Sequence, residues 1–235
     1  MKLPILVSVP HAGTMMPDEV KHFTRIAGDD VIKDGDEQAA EIYLPLRHHV
    51  AHMVTTDIAR AFVDLNREPD DFRKDGVIKT HTCWDVPIYN VSPDEKLVAS
   101  LLARYYHPYH RELRELAVAG DVRVGIDCHT MTAHGPPVGP DPGQPRPAAC
   151  VSDAEGTCDR SWTEELVREL AEVLGREVRI NDPFKGGYIT RKHASELPWL
   201  QLEISRGDFA SVEEKAFAVR EAMKNWSKRV LRLTL

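Results

Sequence analysis

The chain has 235 residues, and its 30 Lys and Arg against 37 Asp and Glu give a formal net charge of −7. This acidic balance argues against a nucleic-acid-binding protein, because phosphate groups bind to basic surfaces. No segment approaches the ~18 apolar residues of a membrane span, and the first ten residues lack the apolar run of a signal peptide. The four cysteines show no zinc-ribbon spacing and fit a reducing compartment. The sequence therefore predicts a soluble, cytoplasmic protein with no membrane partner.

In the first quarter of the chain, the sequence pattern predicts strands with a helix between them. The apolar run 5–9 predicts a buried strand that feeds a loop. Asp36 is a candidate cap for a helix running towards His52, with apolar residues at intervals of three and four. Further strands are predicted at 53–55 and 61–63, the second of which ends in polar groups.

The middle of the chain predicts a long loop, a helix and a strand. Residues 68–92 have no hydrophobic period and predict a surface loop. Ser92 is the predicted cap of a helix whose apolar stripe continues to Leu116, with a kink at Pro108. A strand is predicted at 122–126, followed by a second set of polar groups.

The last hundred residues predict a proline- and glycine-rich loop or lid at 134–147, two helices and a strand at 199–204. Capping boxes at Ser161–Glu164 and Ser211–Glu214 begin the two helices. The apolar stripe of the last helix favours docking on a sheet but leaves open an oligomer through this helix. Its members are Val212, Ala216, Val219, Met223, Trp226, Val230 and Leu233. The alternation of strands and helices predicts a single α/β domain, residues 1–235, with a mixed, largely parallel sheet.

Polar residues gather where several predicted strands end, which is where open α/β sheets bind ligands. Glu203 is the most informative of them, because its neighbours Leu200, Leu202 and Ile204 indicate a buried strand. A buried carboxylate is costly unless it is paired or bound to a metal. Two imidazoles, carboxylates and guanidinium groups are together the parts of a metallohydrolase, although each group taken singly is a weak signal.

Five blocks of sequence carry a resemblance to a known family. In chain order they are Pro10-His11-Ala12-Gly13, Arg60 with Asp64-Leu65-Asn66-Arg67, Asp127-Cys128-His129-Thr130, Phe184-Lys185-Gly186-Gly187-Tyr188-Ile189-Thr190-Arg191 and Gln201-Leu202-Glu203. With these blocks the chain resembles the N-formylglutamate amidohydrolase family over about residues 4–206. It is more distantly similar to aspartoacylases and zinc carboxypeptidases, which implies their three-layer α/β/α fold with a central mixed, largely parallel sheet.

The resemblance implies one divalent metal ion, in the first place Zn²⁺, bound by His11 and His129 as neutral imidazoles. Aspartoacylases and carboxypeptidases have a Glu three residues after the first His, where this chain has Thr14. The family's acidic block corresponds here to Asp34-Gly35-Asp36, which implies Asp36 as the third ligand, with the helix cap as its alternative role. Lesser candidates for this ligand are Asp18, Glu19 and Asp34. Manganese, cobalt and iron also suit two imidazoles and a carboxylate.

The implied activity is hydrolysis of the N-acyl amide of a small acidic amino acid. The first choice of substrate is N-formyl-L-glutamate, cleaved to formate and L-glutamate at the end of one route of histidine degradation. In this scheme Glu203 is the general base, Arg60 stabilises the oxyanion, and Asn66 and Arg67 bind a substrate carboxylate. Lys185, Tyr188 and Arg191 are assigned to the remaining anionic group of the substrate or to the lid.

Other functions remain open from the sequence. A zinc deacylase or carboxypeptidase acting on another N-acyl amino acid or a short peptide would use the same groups. A non-catalytic protein that binds a dicarboxylate would use the same pocket, although it has no need of a base such as Glu203. The third alternative is an α/β protein whose polar strand ends are structural.

Overall fold

The computed structural model describes residues 2–232, and these residues contain a six-stranded sheet. Its strands are β1 (Leu3–Val9), β2 (Val50–Thr55), β3 (Val124–Met131), β4 (Ala149–Ser152), β5 (Val178–Ile180) and β6 (Trp199–Ser205). They lie in the order β2-β1-β3-β6-β4-β5, and β4 runs antiparallel to β6 while the other neighbours are parallel. The predicted mixed, largely parallel sheet is confirmed.

Helices cover both faces of the sheet. They are α1 (Asp29–Asp34), α2 (Ala39–Tyr43), α3 (Glu95–Leu101), α4 (His107–Ala117), α5 (Arg160–Leu174), α6 (Tyr188–Lys192) and α7 (Val212–Val230). One hydrophobic core joins the sheet to α2, α5 and α7, and a second core on the opposite face joins it to α1, α3, α4 and α6. The fold is therefore the three-layer α/β/α arrangement that the resemblance implies. None of the described helices is long and apolar enough to cross a membrane.

The region between β1 and β2 differs from the prediction. The helix expected from Asp36 to His52 is wrong, since α2 begins after Gln38, a 3₁₀ turn containing Pro45 follows it, and β2 already starts at Val50. A proline removes a backbone donor, so the α-helical ladder does not continue through this segment. Asp36 does not cap α2, and its carboxylate instead faces His129.

The predicted strand at 61–63 is also wrong. Ala61, Phe62 and Val63 are fully buried but form a turn, in which the amides of Phe62 and Val63 donate to the carbonyl of Ala59. A short apolar run has the same pattern in a buried turn as in a buried strand, so periodicity does not separate the two. The polar segment that follows, residues 64–67, nevertheless lies at the carboxyl ends of the strands.

Helix starts were predicted with mixed success. The Ser211–Glu214 capping box of α7 is confirmed. Asp94 replaces Ser92 as the cap of α3, and Asp159 replaces Ser161 as the cap of α5. In both cases an aspartate two residues from the predicted serine accepts the backbone hydrogen bond, and a charged acceptor is also favoured by the helix dipole.

Two long helical segments follow their predicted stripes. The segment 95–117 is interrupted by a π-helical turn (Leu102–Tyr106) immediately before Pro108, which lies in the first turn of α4. In α7 the side chains of Val219, Met223 and Trp226 are buried against α5 and the sheet, as expected for a docked helix. The last stripe residue, Leu233, lies outside the described residues.

The two long loops are confirmed as irregular, but they are not wholly superficial. Residues 68–92 contain no described helix or strand, yet Val77, Lys79 and Ile88 are almost completely buried. The loop 134–147 is closed by short bridges such as His134 with Pro145. Both loops contribute residues to the cavities described below.

Candidate active site

The structure brings His11, His129 and Asp36 together at the carboxyl ends of neighbouring strands. His11 follows β1 by two residues, whereas His129 lies within β3, because this strand extends to Met131 and not only to the predicted residue 126. The Oδ2 atom of Asp36 is 2.9 Å from Nδ1 of His129 and 3.5 Å from Nδ1 of His11. All three side chains are buried.

The other ring nitrogen of each histidine faces a buried aspartate. His11 Nε2 is 2.8 Å from Oδ1 of Asp64, and His129 Nε2 is 2.8 Å from Oδ2 of Asp127. In a neutral imidazole these carboxylates favour the proton on Nε2, so that each Nδ1 presents a lone pair. Both lone pairs are then directed towards Asp36, which is itself an acceptor.

This arrangement of acceptors fits a cation. Nδ1 of His11 is buried and has no hydrogen-bond partner among the described residues. Burial opposes a charged imidazole, but Asp127 and Asp36 raise the pKa of His129 well above its usual value. The three ligand atoms lie within 4.8 Å of one another. Two imidazoles and one carboxylate are a common donor set for a zinc-type ion, so His11, Asp36 and His129 form a candidate metal site.

Glu203 and Arg60 stand beside this cluster. Glu203 on β6 pairs in register with His129 on β3, and its Oε1 accepts a hydrogen bond of 2.9 Å from Gln201. Burial raises the pKa of Glu203 to about 7, while the neighbouring His129 opposes the rise. Arg60 donates to Asp64 at 3.1 Å and lies 3.7 Å from the second oxygen of Asp36. Both side chains line the same cavity.

The segment 64–67 carries two of the predicted substrate residues but is not part of the sheet, so side chains from the helical layer hold it. His110 donates to the carbonyl of Leu65 at 2.9 Å, and Tyr106 donates to the carbonyl of Arg67 at 2.8 Å. These contacts come from α4 and from the π-helical turn before it.

Asn66 connects this segment to the later block that contains Gly186-Gly187-Tyr188. Its Nδ2 donates to Asp127 at 3.1 Å, and its Oδ1 accepts from the backbone of Ile189 at 2.7 Å. A Cβ atom on Gly187 would lie 2.2 Å from the Asn66 amide nitrogen. Glycine at 187 is therefore required for this close approach.

Two adjoining cavities open beside the cluster. The first, about 330 Å³, is lined by the three candidate metal ligands with Glu203, Asn66, Arg67 and Lys185. The second, about 400 Å³, shares Asp36, Arg60, Arg67 and Phe184 with the first. The two together form one continuous wall of polar groups around Arg60 and Arg67.

The three residues predicted for the remaining anionic group are placed differently from one another. Lys185 lies at the rim, with its side chain 72% exposed and 3.4 Å from Glu155. The ring of Tyr188 packs against Tyr106 and His110, and Arg191 donates to the carbonyl of Gly186 at 2.7 Å. Tyr188 and Arg191 belong to the lining of neither cavity.

The lesser candidates for the third metal ligand lie outside the cluster. Asp34 is fully buried, but both of its oxygens accept from Lys79, at 2.9 and 2.8 Å. Asp18 and Glu19 form surface ion pairs with Lys21 and Arg104. Sequence reasoning missed Lys79, which stands in a loop without periodicity, and it gave no role to Asp64, although this residue begins the block Asp64-Leu65-Asn66-Arg67.

The fold and the site define the class: an α/β/α protein whose candidate metal site, at the carboxyl ends of β1 and β3, lies beside Glu203 of β6, as hydrolysis at a metal requires. The family model of N-formylglutamate amidohydrolase matches residues 3–209, and the chain belongs to this family. It is accordingly a hydrolase of amide C–N bonds, and the resemblance identified from the sequence is confirmed.

Individual relatives agree with this assignment. The chain is 28% identical to an N-formylglutamate deformylase of Pseudomonas putida, over 100% of this chain and 91% of the relative. It is 25% identical to that of Pseudomonas aeruginosa, over 98% and 91%. The crystal structure of N-formylglutamate amidohydrolase from Ralstonia eutropha JMP134 has a TM-score of 0.78 at 22% identity, over 98% of this chain and 95% of that chain, and shows the common fold.

Proposed function

We propose that this chain hydrolyses N-formyl-L-glutamate to formate and L-glutamate with one divalent metal ion, Zn²⁺, held by His11, Asp36 and His129. The names of the curated relatives support the substrate. The observation that carries the metal dependence is the buried, unpartnered Nδ1 of His11 facing the same carboxylate as Nδ1 of His129. Such a reaction suits a cytoplasmic enzyme at the end of a histidine-degradation route.

The chemistry divides between the ion and the surrounding side chains. A divalent ion with three protein ligands supplies Lewis acidity and lowers the pKa of water towards ~7. Glu203 takes the proton of the attacking water and returns it to the leaving amide nitrogen, which its place in the cavity beside His129 allows. Because Glu203 is buried, its carboxylate is poorly solvated and is a stronger base than an exposed one.

In this proposal, guanidinium groups stabilise the negative charges of the substrate and of the reaction. Arg60 lies next to Asp36 and donates to the charge that develops on the carbonyl oxygen. Arg67, with Asn66 beside it, holds the α-carboxylate of the substrate. The Arg67 guanidinium is already fixed by the carbonyl of Asp75 at 3.0 Å, so little side-chain entropy is lost when the substrate binds.

Metal analysis combined with a substrate panel tests the proposal. The purified protein is expected to contain about one equivalent of zinc and to release formate from N-formyl-L-glutamate much faster than acetate from N-acetyl-L-glutamate. A protein that binds no divalent ion and remains active would refute metal dependence. Preference for an acetylated or peptidyl substrate would instead support the alternative function of a deacylase or a carboxypeptidase.

Replacing Arg67 by alanine is expected to raise KM for N-formyl-L-glutamate about 10- to 100-fold with kcat little changed, because a charged hydrogen bond to the bound substrate is lost. Initial rates over a range of substrate concentrations measure the two constants. Arg104→Ala, at an exposed surface ion pair, is the matched control. An unchanged KM with a collapsed kcat would assign Arg67 to the transition state instead.

Replacing Asp127 by asparagine is expected to weaken metal binding about 10- to 100-fold, because Asp127 fixes the ring of His129 through Nε2. Competition with a chromogenic chelator measures the dissociation constant. Asp121→Asn is a suitable control, since Asp121 is an exposed carboxylate whose partner is His52 and not a candidate metal ligand. Equal metal affinity in wild type and Asp127→Asn would contradict a role for this carboxylate in orienting the ligand.

A further inference from the structure

We infer that the second cavity binds the side-chain carboxylate of the substrate and that Arg206 is its principal ligand, an inference that rests on the proposed function. The substrate carries two carboxylates, and Arg67 accounts for one of them. The residues predicted from the sequence for the other are either at the rim, as Lys185 is, or outside both cavity linings, as Tyr188 and Arg191 are.

The second cavity has the charge that an anionic group needs. Among the described residues that line it, five side chains are cationic and three are carboxylates, an excess of two positive charges. The cations are Arg60, Arg67, Lys79, Arg146 and Arg206, and the carboxylates are Asp34, Asp36 and Asp75. Asp34 is neutralised by Lys79 and Asp75 by Arg67, while Asp36 belongs to the metal cluster. Arg60 faces Asp36 and Asp64. Arg146 and Arg206 are the two lining cations whose carboxylate partners, Asp141 and Glu37, lie outside the lining.

Arg146 and Arg206 differ in which of their guanidinium nitrogens already donate a hydrogen bond. Arg146 is held on three nitrogens, by the carboxylate of Asp141 and by Thr132, and its guanidinium also covers the ring of Phe184. It contributes charge to the cavity, but its two hydrogen bonds to Asp141, at 2.8 and 2.6 Å, hold it more tightly than a single contact would. Arg206 is tied through Nη1, which donates to Glu37 at 2.9 Å and to the carbonyl of Gly35, in the loop of Asp36, at 3.4 Å. Its Nε has no partner within the described part of the chain.

Arg206 is also well anchored for a ligand-binding role. It follows β6 directly, three residues after Glu203, and its backbone amide donates to the carbonyl of Met131. The side chain is 13% exposed, whereas that of its partner Glu37 is 45% exposed and does not line the cavity. An ion pair to a half-exposed carboxylate is weak, so a bound carboxylate can compete for the guanidinium.

The remaining lining suits the rest of a glutamate side chain. Phe184 and Pro140 lie in the wall common to both cavities, and Pro136 and Val138 add apolar surface to the second. A substrate with its amide beside His129 and Glu203 therefore directs two methylene groups past apolar atoms and a terminal carboxylate towards Arg206. The site therefore selects the side chain of glutamate, with two methylene groups and a carboxylate, over the uncharged amide side chain of glutamine.

The decisive experiment compares N-formyl-L-glutamate with N-formyl-L-glutamine in wild type and in Arg206→Gln. We expect kcat/KM for the glutamate substrate to fall about 10- to 100-fold in the variant, the loss of a charge-assisted hydrogen bond, while the value for glutamine changes less than about threefold. Arg220→Gln on α7, a partly exposed arginine paired with its neighbour Glu221, is the matched control. Arg191→Gln tests the sequence-based assignment in the same assay.

Each outcome has a distinct meaning. An equal fall of kcat/KM for both substrates in Arg206→Gln would show that Arg206 only supports the loop of Asp36. A loss of selectivity for glutamate in Arg191→Gln alone would place the side-chain carboxylate elsewhere. Either result overturns the inference. Calorimetric titration with glutarate separates this site from the reaction. If wild type hydrolyses neither substrate, the proposed function fails, but tighter glutarate binding by wild type than by Arg206→Gln still supports the carboxylate site, and equal binding overturns it.

Discussion

Substituting His129 by alanine is expected to remove the bound metal and abolish amide hydrolysis together. His129 supplies one of the three candidate ligand atoms and lies 2.9 Å from Asp36, which supplies another. A site reduced to His11 and Asp36 has too few protein ligands to hold a divalent ion against water. Metal content, measured on the purified variant by atomic emission, and formate release from N-formyl-L-glutamate should both fall to background.

Thermal denaturation with and without a chelator separates loss of the ion from damage to the fold. A ligand at a thousandfold excess over its Kd stabilises the native state by about 4 kcal/mol, which corresponds to roughly 10 °C in a chain of this size. Wild type and the exposed-histidine control His107→Ala should lose this increment when the metal is chelated, whereas His129→Ala should show no response. A His129→Ala protein whose melting temperature still falls on chelation would mean that the ion binds elsewhere.

The convergence of the site is the part that the sequence predicts best. His11, His129 and Glu203 are far apart in the chain, but each belongs to or follows a strand, and β1, β3 and β6 are neighbours in the sheet. The carboxyl ends of parallel neighbours meet at one edge, so identifying the strands is enough to bring these side chains together. The same logic makes the class of the fold predictable from alternating strands and helices.

Groups carried by loops are less predictable, because no periodicity fixes their direction. Asp36 reads equally well as a helix cap and as a metal ligand until its carboxylate is seen against His129 and Thr130. Lys79 neutralises Asp34 across 45 residues of chain, a contact with no local signal. Arg206 stands three residues after Glu203 and looks, in sequence, like an ordinary charge between a strand and a helix.

Glu203→Gln is expected to retain the metal and to lower kcat by about 100-fold or more, because the side chain keeps its shape but no longer accepts the proton of the attacking water. Its position on β6 beside His129, and its contact with Gln201, should tolerate an amide of equal size. Glu41→Gln, at an exposed position of α2, is the control for the same substitution.

The pattern of constants distinguishes a base from a merely structural carboxylate. A base acts in the chemical step, so kcat and kcat/KM should fall by similar factors while the metal content and melting temperature stay near those of wild type. Loss of the ion in Glu203→Gln would instead make Glu203 a metal ligand, and near-normal turnover would remove it from the reaction. Because the neighbouring Arg60 and Asp36 are unchanged, the remaining activity measures what the proposed metal site and the proposed oxyanion donor achieve without a proton acceptor.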